Sequence, residues 1–446
     1  MRGEQGKTDR PKYEEQPMNP ETAALIERRK RVLGPAYTHF YDQPLHLVRG
    51  EGVWVYDNEG KQYLDCYNNV PSVGHCHPHV VDALGRQAKL LNTHTRYLHR
   101  NVIEYAEMLA DTLPGDLSVC TFVCTGTEAN DLAYRIAKAV TGRDGAIVTA
   151  EAYHGNSTLV AELSREHGHE HRAPDFIVDV EPPYTYRGPF GDDHPDPPAA
   201  YAGLVDEAIG TLRGRGMAPA MMIIDSIFDG KGILTPPPAY HQAVYRKVRD
   251  AGGLIVADEV QSGLCRLGDH YWGFQDSGVV PDIVTMGKPM GDGHPLAVVV
   301  TTPAIARAFA EKSGYFNTFG GNPVSAAVGK AVLEVVEREG VLANVRQTGD
   351  YLKAGLQRLA EQHALIGEVR GKGLFLGVEL VRDRVSKEPA TNEAAAIVEG
   401  LREAGVLLAR VGRYRNILKI RPPLVFRREH ADLAVRKLEE ALARMA

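Results

Sequence analysis

The sequence predicts an α/β protein: a large domain on a mostly parallel central sheet with helices on both faces, plus a smaller, discontinuous α+β domain. Three observations predict it. Between about residue 120 and residue 302, short apolar runs alternate with helical patterns at the spacing of β-α-β units, as a parallel sheet requires. Two of those runs stop abruptly at polar positions, Asp258 and Gly287-Lys288, as strands do where they leave a buried sheet. After residue 322, helices and alternating strands mix without that regularity, which reads as α+β.

Taken in order, residues 1–24 are polar and charged and read as a flexible arm. Residues 25–85 form the N-terminal part of the small domain. Within them, residues 47–66 hold two alternating β runs joined by Asp57-Asn58-Glu59-Gly60, a hairpin signal. Helical patterns follow at 79–91 and 101–113. The large domain spans residues 86–325, and His169, His171 and the Pro/Asp-rich residues 192–198 read as surface loops in it. Residues 326–446 complete the small domain. They hold a long Ala/Val/Leu helix that starts after Asn322, helical residues 352–361, strands at 366–370 and 374–380, a helix near 393–403, a strand at 416–420 and a last helix from 428.

At 446 residues, 43% of them hydrophobic, the chain is long enough for two cores. A formal net charge of −6 with no dominant basic face argues against a nucleic-acid partner. The run Arg28-Arg29-Lys30-Arg31 directly follows Glu27 and reads as a solvated helix face. No stretch approaches the roughly eighteen uninterrupted apolar residues of a membrane span, and the N-terminus lacks the apolar core of a signal peptide. Cys66, Cys76, Cys120, Cys124 and Cys265 form no disulfide framework, and their odd number suits a reducing cytoplasm. His75-Cys76-His77-Pro78-His79 has the residue types of a metal site. Pro78 and the preceding Val73-Gly74 instead suggest a turn after a strand, no second cluster has matching spacing, and no metal is expected.

Asp258 and Lys288 point to chemistry. Gly253-Leu-Ile-Val-Ala-Asp258-Glu-Val-Gln261 is an apolar run ending at a carboxylate, and Asp282-Ile-Val-Thr-Met-Gly-Lys288-Pro repeats the shape and ends at an amine. In open α/β sheets, ligands bind at the carboxyl ends of strands. An amine and a carboxylate delivered there are what pyridoxal 5'-phosphate (PLP) requires: a lysine for the Schiff base, and a carboxylate that keeps the pyridine nitrogen protonated so the ring can take up electrons. A turn-forming Asp and a solvated Lys are the plain alternative, so other segments must agree. The run from Thr121 breaks at Gly126 into a helical pattern. Gly126 and Thr127 therefore sit at a helix N-terminus, where free amides and the dipole favour a phosphate; an ordinary cap by Thr127 with Glu128 and Asp131 reads the same way. Tyr153, in Tyr153-His154-Gly155 after the strand from Gly145, can stack on a flat ring or simply pack at a rim. Phe316-Asn317-Thr318-Phe-Gly-Gly-Asn322-Pro suits a phosphate or a plain capped turn.

In this order the signals resemble the class-III aminotransferases, which are fold-type I PLP enzymes: Tyr63-Leu-Asp-Cys, Gly126-Thr-Glu-Ala, Tyr153-His-Gly, Ala257-Asp-Glu-Val-Gln, Gly287-Lys-Pro, Asn317-Thr-Phe-Gly-Gly-Asn-Pro and Ile420-Arg-Pro-Pro. The likeness covers roughly residues 25–446. It implies Lys288 as the Schiff-base lysine, Asp258 as the pyridinium partner, Gln261 near the ring hydroxyl, Tyr153 stacked on the ring, and Gly126 and Thr127 on the cofactor phosphate. Thr318 would reach that phosphate from a neighbouring subunit, which implies a homodimer, or a tetramer built from it, with sites at the interface. Leu264-Cys265-Arg266 departs from the family pattern, where an aromatic and then a glycine are usual, and reads as a change of packing or channel shape.

Within the family, Tyr63-Leu-Asp-Cys-Tyr-Asn-Asn-Val, Val73-Gly-His-Cys-His-Pro, Leu91-Asn-Thr, Tyr97-Leu-His, Glu104-Tyr-Ala and Gly287-Lys-Pro-Met-Gly-Asp-Gly-His-Pro are similar to the phospho-lyases. Those act on O-phosphoethanolamine or phosphohydroxylysine and release phosphate and ammonia. Arg421 cuts the other way, because it matches the arginine with which aminotransferases bind a substrate carboxylate. Arginine pairs with carboxylate and phosphate alike, so a phospho-lyase and an aminotransferase using a keto acid such as pyruvate both stand. A non-catalytic binding protein on this fold is a third reading, and it would lack the visible absorbance of lysine-bound PLP.

Overall fold

The computed structural model describes residues 18–165 and 173–445. Helix Pro20–Val32 opens them, capped by the Asn19 side chain, which accepts the amides of Glu21 and Thr22, with Pro20 pre-set for the first turn. Residues 20–24, expected in the flexible arm, are therefore helical; the rest of that arm up to residue 17 lies outside the described residues. Three strands follow, β1 (Leu47–Glu51), β2 (Trp54–Asp57) and β3 (Gln62–Asp65). The expected single hairpin is two, because Gly52 turns at φ +60° and splits the first run. The expected turn is present, its Asp57 carboxylate accepting the amides of Glu59 and Lys61.

The central sheet contains β4 (Val119–Val123), β5 (Gly145–Thr149), β6 (Ile177–Val180), β7 (Pro219–Asp225), β8 (Leu254–Asp258), β9 (Ile283–Met286) and β10 (Ala297–Thr301). Their order is β4-β10-β9-β8-β7-β5-β6. Strands β5 to β9 are mutually parallel where they pair, and β10 runs antiparallel to both β4 and β9. Alternation along each strand decides what covers each face. Val148, Ile223, Val256 and Val299 pack with Ala129, Leu132, Ala133 and Ile136 of helix Gly126–Thr141. Ile147, Met222, Ile224 and Ile255 pack with Tyr201, Val205 and Leu212 of helix Pro197–Gly214 and with Tyr240, Val244 and Val248 of helix Pro238–Asp250. Removing each large apolar side chain from water contributes about 1.5–3 kcal/mol. Both faces are thus covered, which is why these strands read as unbroken apolar runs. Residues 192–198, expected as loop, run into one of those helices: Asp196 caps it at Ala199 N, and Pro197 and Pro198 occupy its first turn. His169 and His171 lie outside the described residues.

The C-terminal segment adds β11 (Ile366–Lys372), β12 (Phe375–Asp383), β13 (Glu388–Pro389), β14 (Val406–Leu407), β15 (Ala409–Val411) and β16 (Ile417–Ile420). A second sheet runs β11-β12-β16-β15, all antiparallel, with β13 on β12. β14 instead runs parallel to β3, so the N-terminal strands and the C-terminal segment share one sheet. The helical stretch expected at 352–361 is the end of a 22-residue helix, Val341–Gln362. Among the described residues, no helix is long and apolar enough to cross a membrane.

Three parallel strands stop level with one another: Asp225 of β7 pairs with Asp258 of β8, and Asp258 with Thr285 of β9. Arg421, just past β16, comes near them, since its charge reaches Lys288 together with those of Asp225 and Asp258.

Candidate active site

Asp258 ends β8 with its carboxylate buried. The Val260 N–H donates to Oδ1 at 3.1 Å, while His154 Nδ1 at 2.7 Å and Asn130 Nδ2 at 3.0 Å both donate to Oδ2. A buried charge is costly unless hydrogen-bonded, and these donors meet that cost. An ionised carboxylate only accepts, so His154 carries its proton on Nδ1, and its Nε2 has no partner among the described residues. Asn130 Nδ2 also donates to the His154 carbonyl at 2.7 Å, and Ser164 Oγ accepts the His154 N–H at 2.9 Å, so both groups are fixed. Asn130 is inconspicuous in the sequence. Its signal is spacing: four residues beyond Gly126, it lies on the same helix face.

Lys288 follows β9 in a 3-10 turn, Lys288–Gly291. A Cβ on Gly287 would lie 3.3 Å from Gly126 Cα, and one on Gly126 would lie 3.0 Å from a Val260 methyl. Two glycines thus let the lysine turn, the helix start and the residues after Asp258 meet. Lys288 is partly buried and makes no hydrogen bond among the described residues. Burial first, then the Arg421 charge, holds its amine below the usual lysine range, against the pull of Asp258, Asp229 and Asp225. An amine eased toward its neutral form is a better nucleophile and base.

Gly126 opens its helix, and the cap is Thr125, reciprocally bonded with Glu128, in place of the expected Thr127. The first-turn amides of Gly126 and Thr127 have no intrahelical acceptor, as at any helix start, where an anion is favoured. Thr127 Oγ1 donates to Asn156 Oδ1 at 3.2 Å. Gly155 has φ +143°, and a Cβ there would come within 2.5 Å of Thr127 Oγ1, so glycine is required. Tyr153 beside it is 46% exposed. Thr318 is exposed too, in a loop whose Asn317 donates to Glu128 Oε1 at 3.2 Å.

Arg421 lies just past β16 and is 3% exposed. Its guanidinium donates through Nη1 to Gln261 Oε1 and through Nε to the Tyr67 carbonyl at 3.2 Å. Asn69 Nδ2 donates to the same Gln261 oxygen at 3.0 Å. Lys419, two residues before Arg421, pairs with Asp229. Burial and Arg421 pull Lys419 down to about 8 against the opposing Asp229, while burial and then Asp229 push Asp225 up to about 7. Arg421 and Gln261 are candidates from the sequence, whereas Asn69, Tyr67, Asp229 and Lys419 join the site only through the fold.

Leu264 and Cys265 both adopt left-handed backbone, at φ 55° and 64°, and pack in the core with Trp272. Such a conformation costs about 1–3 kcal/mol per non-glycine residue. Glycine would adopt this backbone without that cost, and Leu264 and Cys265 meet it inside the core. Arg266 is buried and donates to the carbonyls of Leu374, at 3.1 Å, and Pro422, tying down the strand end that bears Arg421. His75, His77 and His79 turn to three different carboxylates, Asp65, Glu339 and Glu334.

An unbonded, partly buried lysine, a buried carboxylate held by three donors and a glycine-shaped helix start fit PLP. The family model of aminotransferase class-III matches residues 36–442. The chain belongs to the class-III aminotransferases. It is a PLP-dependent enzyme with the fold-type I architecture. The chain is 44% identical over 417 residues to the alanine–glyoxylate aminotransferase 2-like protein of Drosophila melanogaster, covering 91% of this chain and 84% of the relative. It is 38% identical over 437 residues to ethanolamine-phosphate phospho-lyase homolog 1 of Caenorhabditis elegans, covering 94% and 93%. Among solved structures, a phospholyase from Arthrobacter in complex with phosphoethanolamine superposes with a TM-score of 0.91 at 43% identity, covering 94% of this chain and 99% of that one.

Proposed function

We propose that this class-III enzyme is a phospho-lyase that eliminates phosphate and ammonia from an O-phosphorylated amine such as O-phosphoethanolamine. One observation favours this reading: the segment that bears the likeness to phospho-lyases, residues 63–70, lines the Arg421 pocket. Tyr67 gives Arg421 its carbonyl and a ring face 5.0 Å away, and Asn69 bonds Gln261. The likeness to the phospholyase complex supports the same reading.

Bound PLP would supply an aldehyde carbon for the substrate nitrogen and a ring able to accept electrons from the adjacent carbon. Asp258, oriented by His154 and Asn130, would hold the proton on the ring nitrogen. Gly126 and Thr127 would bind the cofactor phosphate, Tyr153 would cover one ring face, and Gln261 would stand at the ring hydroxyl. Lys288 would anchor the cofactor, then remove the proton from the substrate carbon that bears nitrogen. The pair of electrons from that C–H bond forms a carbon–carbon double bond as the C–O bond to phosphate breaks. Lys288 would then retake the cofactor's aldehyde carbon and so free the substrate nitrogen, and water would hydrolyse the released enamine to aldehyde and ammonia. Arg421 would hold the anionic end of the substrate while this happens.

The assembly belongs to the same proposal. Leu90, Tyr97, Leu98 and Phe319 are large and mostly exposed, and Arg96 lies 4.0 Å over the Phe316 ring, joining the two segments into one surface. A patch of this kind suits a homodimer, which would bring Thr318 to the partner's cofactor phosphate. The five cysteines are free thiols, which suits the cytoplasmic location we infer.

A second reading has its own support. Arginine at position 421 is a bidentate partner for a keto-acid carboxylate, and one 44%-identical relative is named an aminotransferase. Incubation with O-phosphoethanolamine and, separately, with free ethanolamine separates the two. The lyase releases phosphate from the ester and leaves ethanolamine intact. Absence of phosphate release, or comparable consumption of ethanolamine, would remove the lyase reading.

A further inference from the structure

Lys419 and Arg421 lie two residues apart along the direction of β16, so they share a face. Both cations stand beside the same two rings. Lys419 Nζ is 6.0 Å from the centre of Tyr67 and 5.7 Å from that of Phe375; for the Arg421 guanidinium the distances are 5.0 and 5.5 Å. Both side chains are buried. Their company differs. Arg421 donates to neutral acceptors, the Gln261 amide oxygen and the Tyr67 carbonyl, so its charge is left available. Lys419 meets a carboxylate, with Nζ 2.7 Å from Asp229 Oδ2 and 2.5 Å from Oδ1. Asp229 is itself buried in the loop after β7, and its backbone N–H donates to Asp225 Oδ2 at 2.7 Å, which fixes the loop.

We propose that Asp229 is a specificity-determining residue: by pairing with Lys419, it leaves Arg421 as the cation offered to the anionic end of the substrate. This rests on the reading of Arg421 as the anion's partner. Two adjacent buried cations without Asp229 would both turn to a bound anion. They would favour the more highly charged ligand and retain a phosphate product after the reaction. With Asp229 in place, one guanidinium holds one anionic group, tightly enough to orient it and loosely enough to let it leave.

Inorganic phosphate titrated into the PLP-saturated holoenzyme by calorimetry, at slightly acid pH, tests this. Wild type should bind phosphate, and Arg421→Met should lose that binding; failure of either removes the Arg421 reading and this inference with it. Asp229→Asn, which keeps shape while releasing Lys419, should tighten phosphate binding by roughly tenfold through a second charge-assisted contact. Adding Lys419→Met to that variant should return the affinity to within about threefold of wild type, because the pair it replaces is neutral overall. Binding by Asp229→Asn equal to wild type would overturn the proposal. The double variant decides alone if the single one does not fold, since a loss of roughly tenfold or more in it would mean that Lys419 itself holds the anion.

Discussion

The two ends of the candidate site are built on opposite plans. The Asp258 end is assembled from neighbouring parts of one sheet: the ends of β8 and β9, the segment after β5, and the helix Gly126–Thr141 that packs on them. Its buried carboxylate is met by three donors, and its close contacts are set by glycines at 126, 155 and 287. The Arg421 end draws on residues as far apart as Tyr67, Asp229, Gln261 and Lys419, and it buries charges of both signs against one another. Rigid backbone fixes the first, whereas a balance of charges tunes the second. On the proposed reading, the common chemistry belongs at the fixed end, and the choice of reaction and substrate at the adjustable one.

This contrast is sharpest at Lys288. Lys288→Ala should lower turnover by roughly 10³-fold or more, since anchor and base are lost together, while the melting temperature stays near that of wild type. Activity within tenfold of wild type would detach the chemistry from this end (about 1.4 kcal/mol of barrier). Asp258→Asn should come next, with a loss of roughly 10²–10³-fold in kcat, because the amide cannot hold a proton on the ring nitrogen. Its cofactor should remain bound, as visible absorbance will show.

Gly155→Ala should weaken PLP binding by roughly tenfold, because the new Cβ meets Thr127 and the backbone conformation disfavours any side chain. Equilibrium dialysis of the cofactor measures this, and unchanged affinity would take the helix start out of the phosphate cradle. Asn130→Ala leaves Asp258 two donors and should cost about 1–3 kcal/mol of stability in urea unfolding, with kcat only a few-fold lower. The adjustable end should tolerate a change of cation. In a lyase, Arg421→Lys should raise KM for the phosphate ester by no more than about tenfold, because an ammonium still pairs with a phosphate. A larger loss would show that the fork geometry of arginine is needed, as a carboxylate substrate demands.

The same division governs what the sequence reveals. Asp258, Lys288, Gly126 and Tyr153 are legible because each stands where an apolar run or a helical pattern begins or ends. The parallel sheet is legible because strands covered on both faces become unbroken apolar runs. The Arg421 pocket is a product of long-range closure, and no local pattern announces that Asn69 will reach Gln261 or that Asp229 will pair with Lys419. His154 is an intermediate case: it stands in a conspicuous Tyr-His-Gly run, yet its partner, Asp258, lies 104 residues away. Small errors at element ends have local causes, as where Asn19 and Pro20 start a helix in a charged stretch, or where Gly52 breaks an alternating run.

The measurement that tests the central claim most directly is the requirement for a keto acid. PLP-saturated enzyme is given O-phosphoethanolamine with and without pyruvate, and phosphate, ammonia and alanine are quantified together. A pocket that holds a phosphate ester for elimination should release phosphate and ammonia in equal amounts, at the same rate whether or not pyruvate is present, and form no alanine. Turnover that depends on pyruvate and yields alanine, with the phosphate ester left intact, would contradict the account and make the enzyme an aminotransferase.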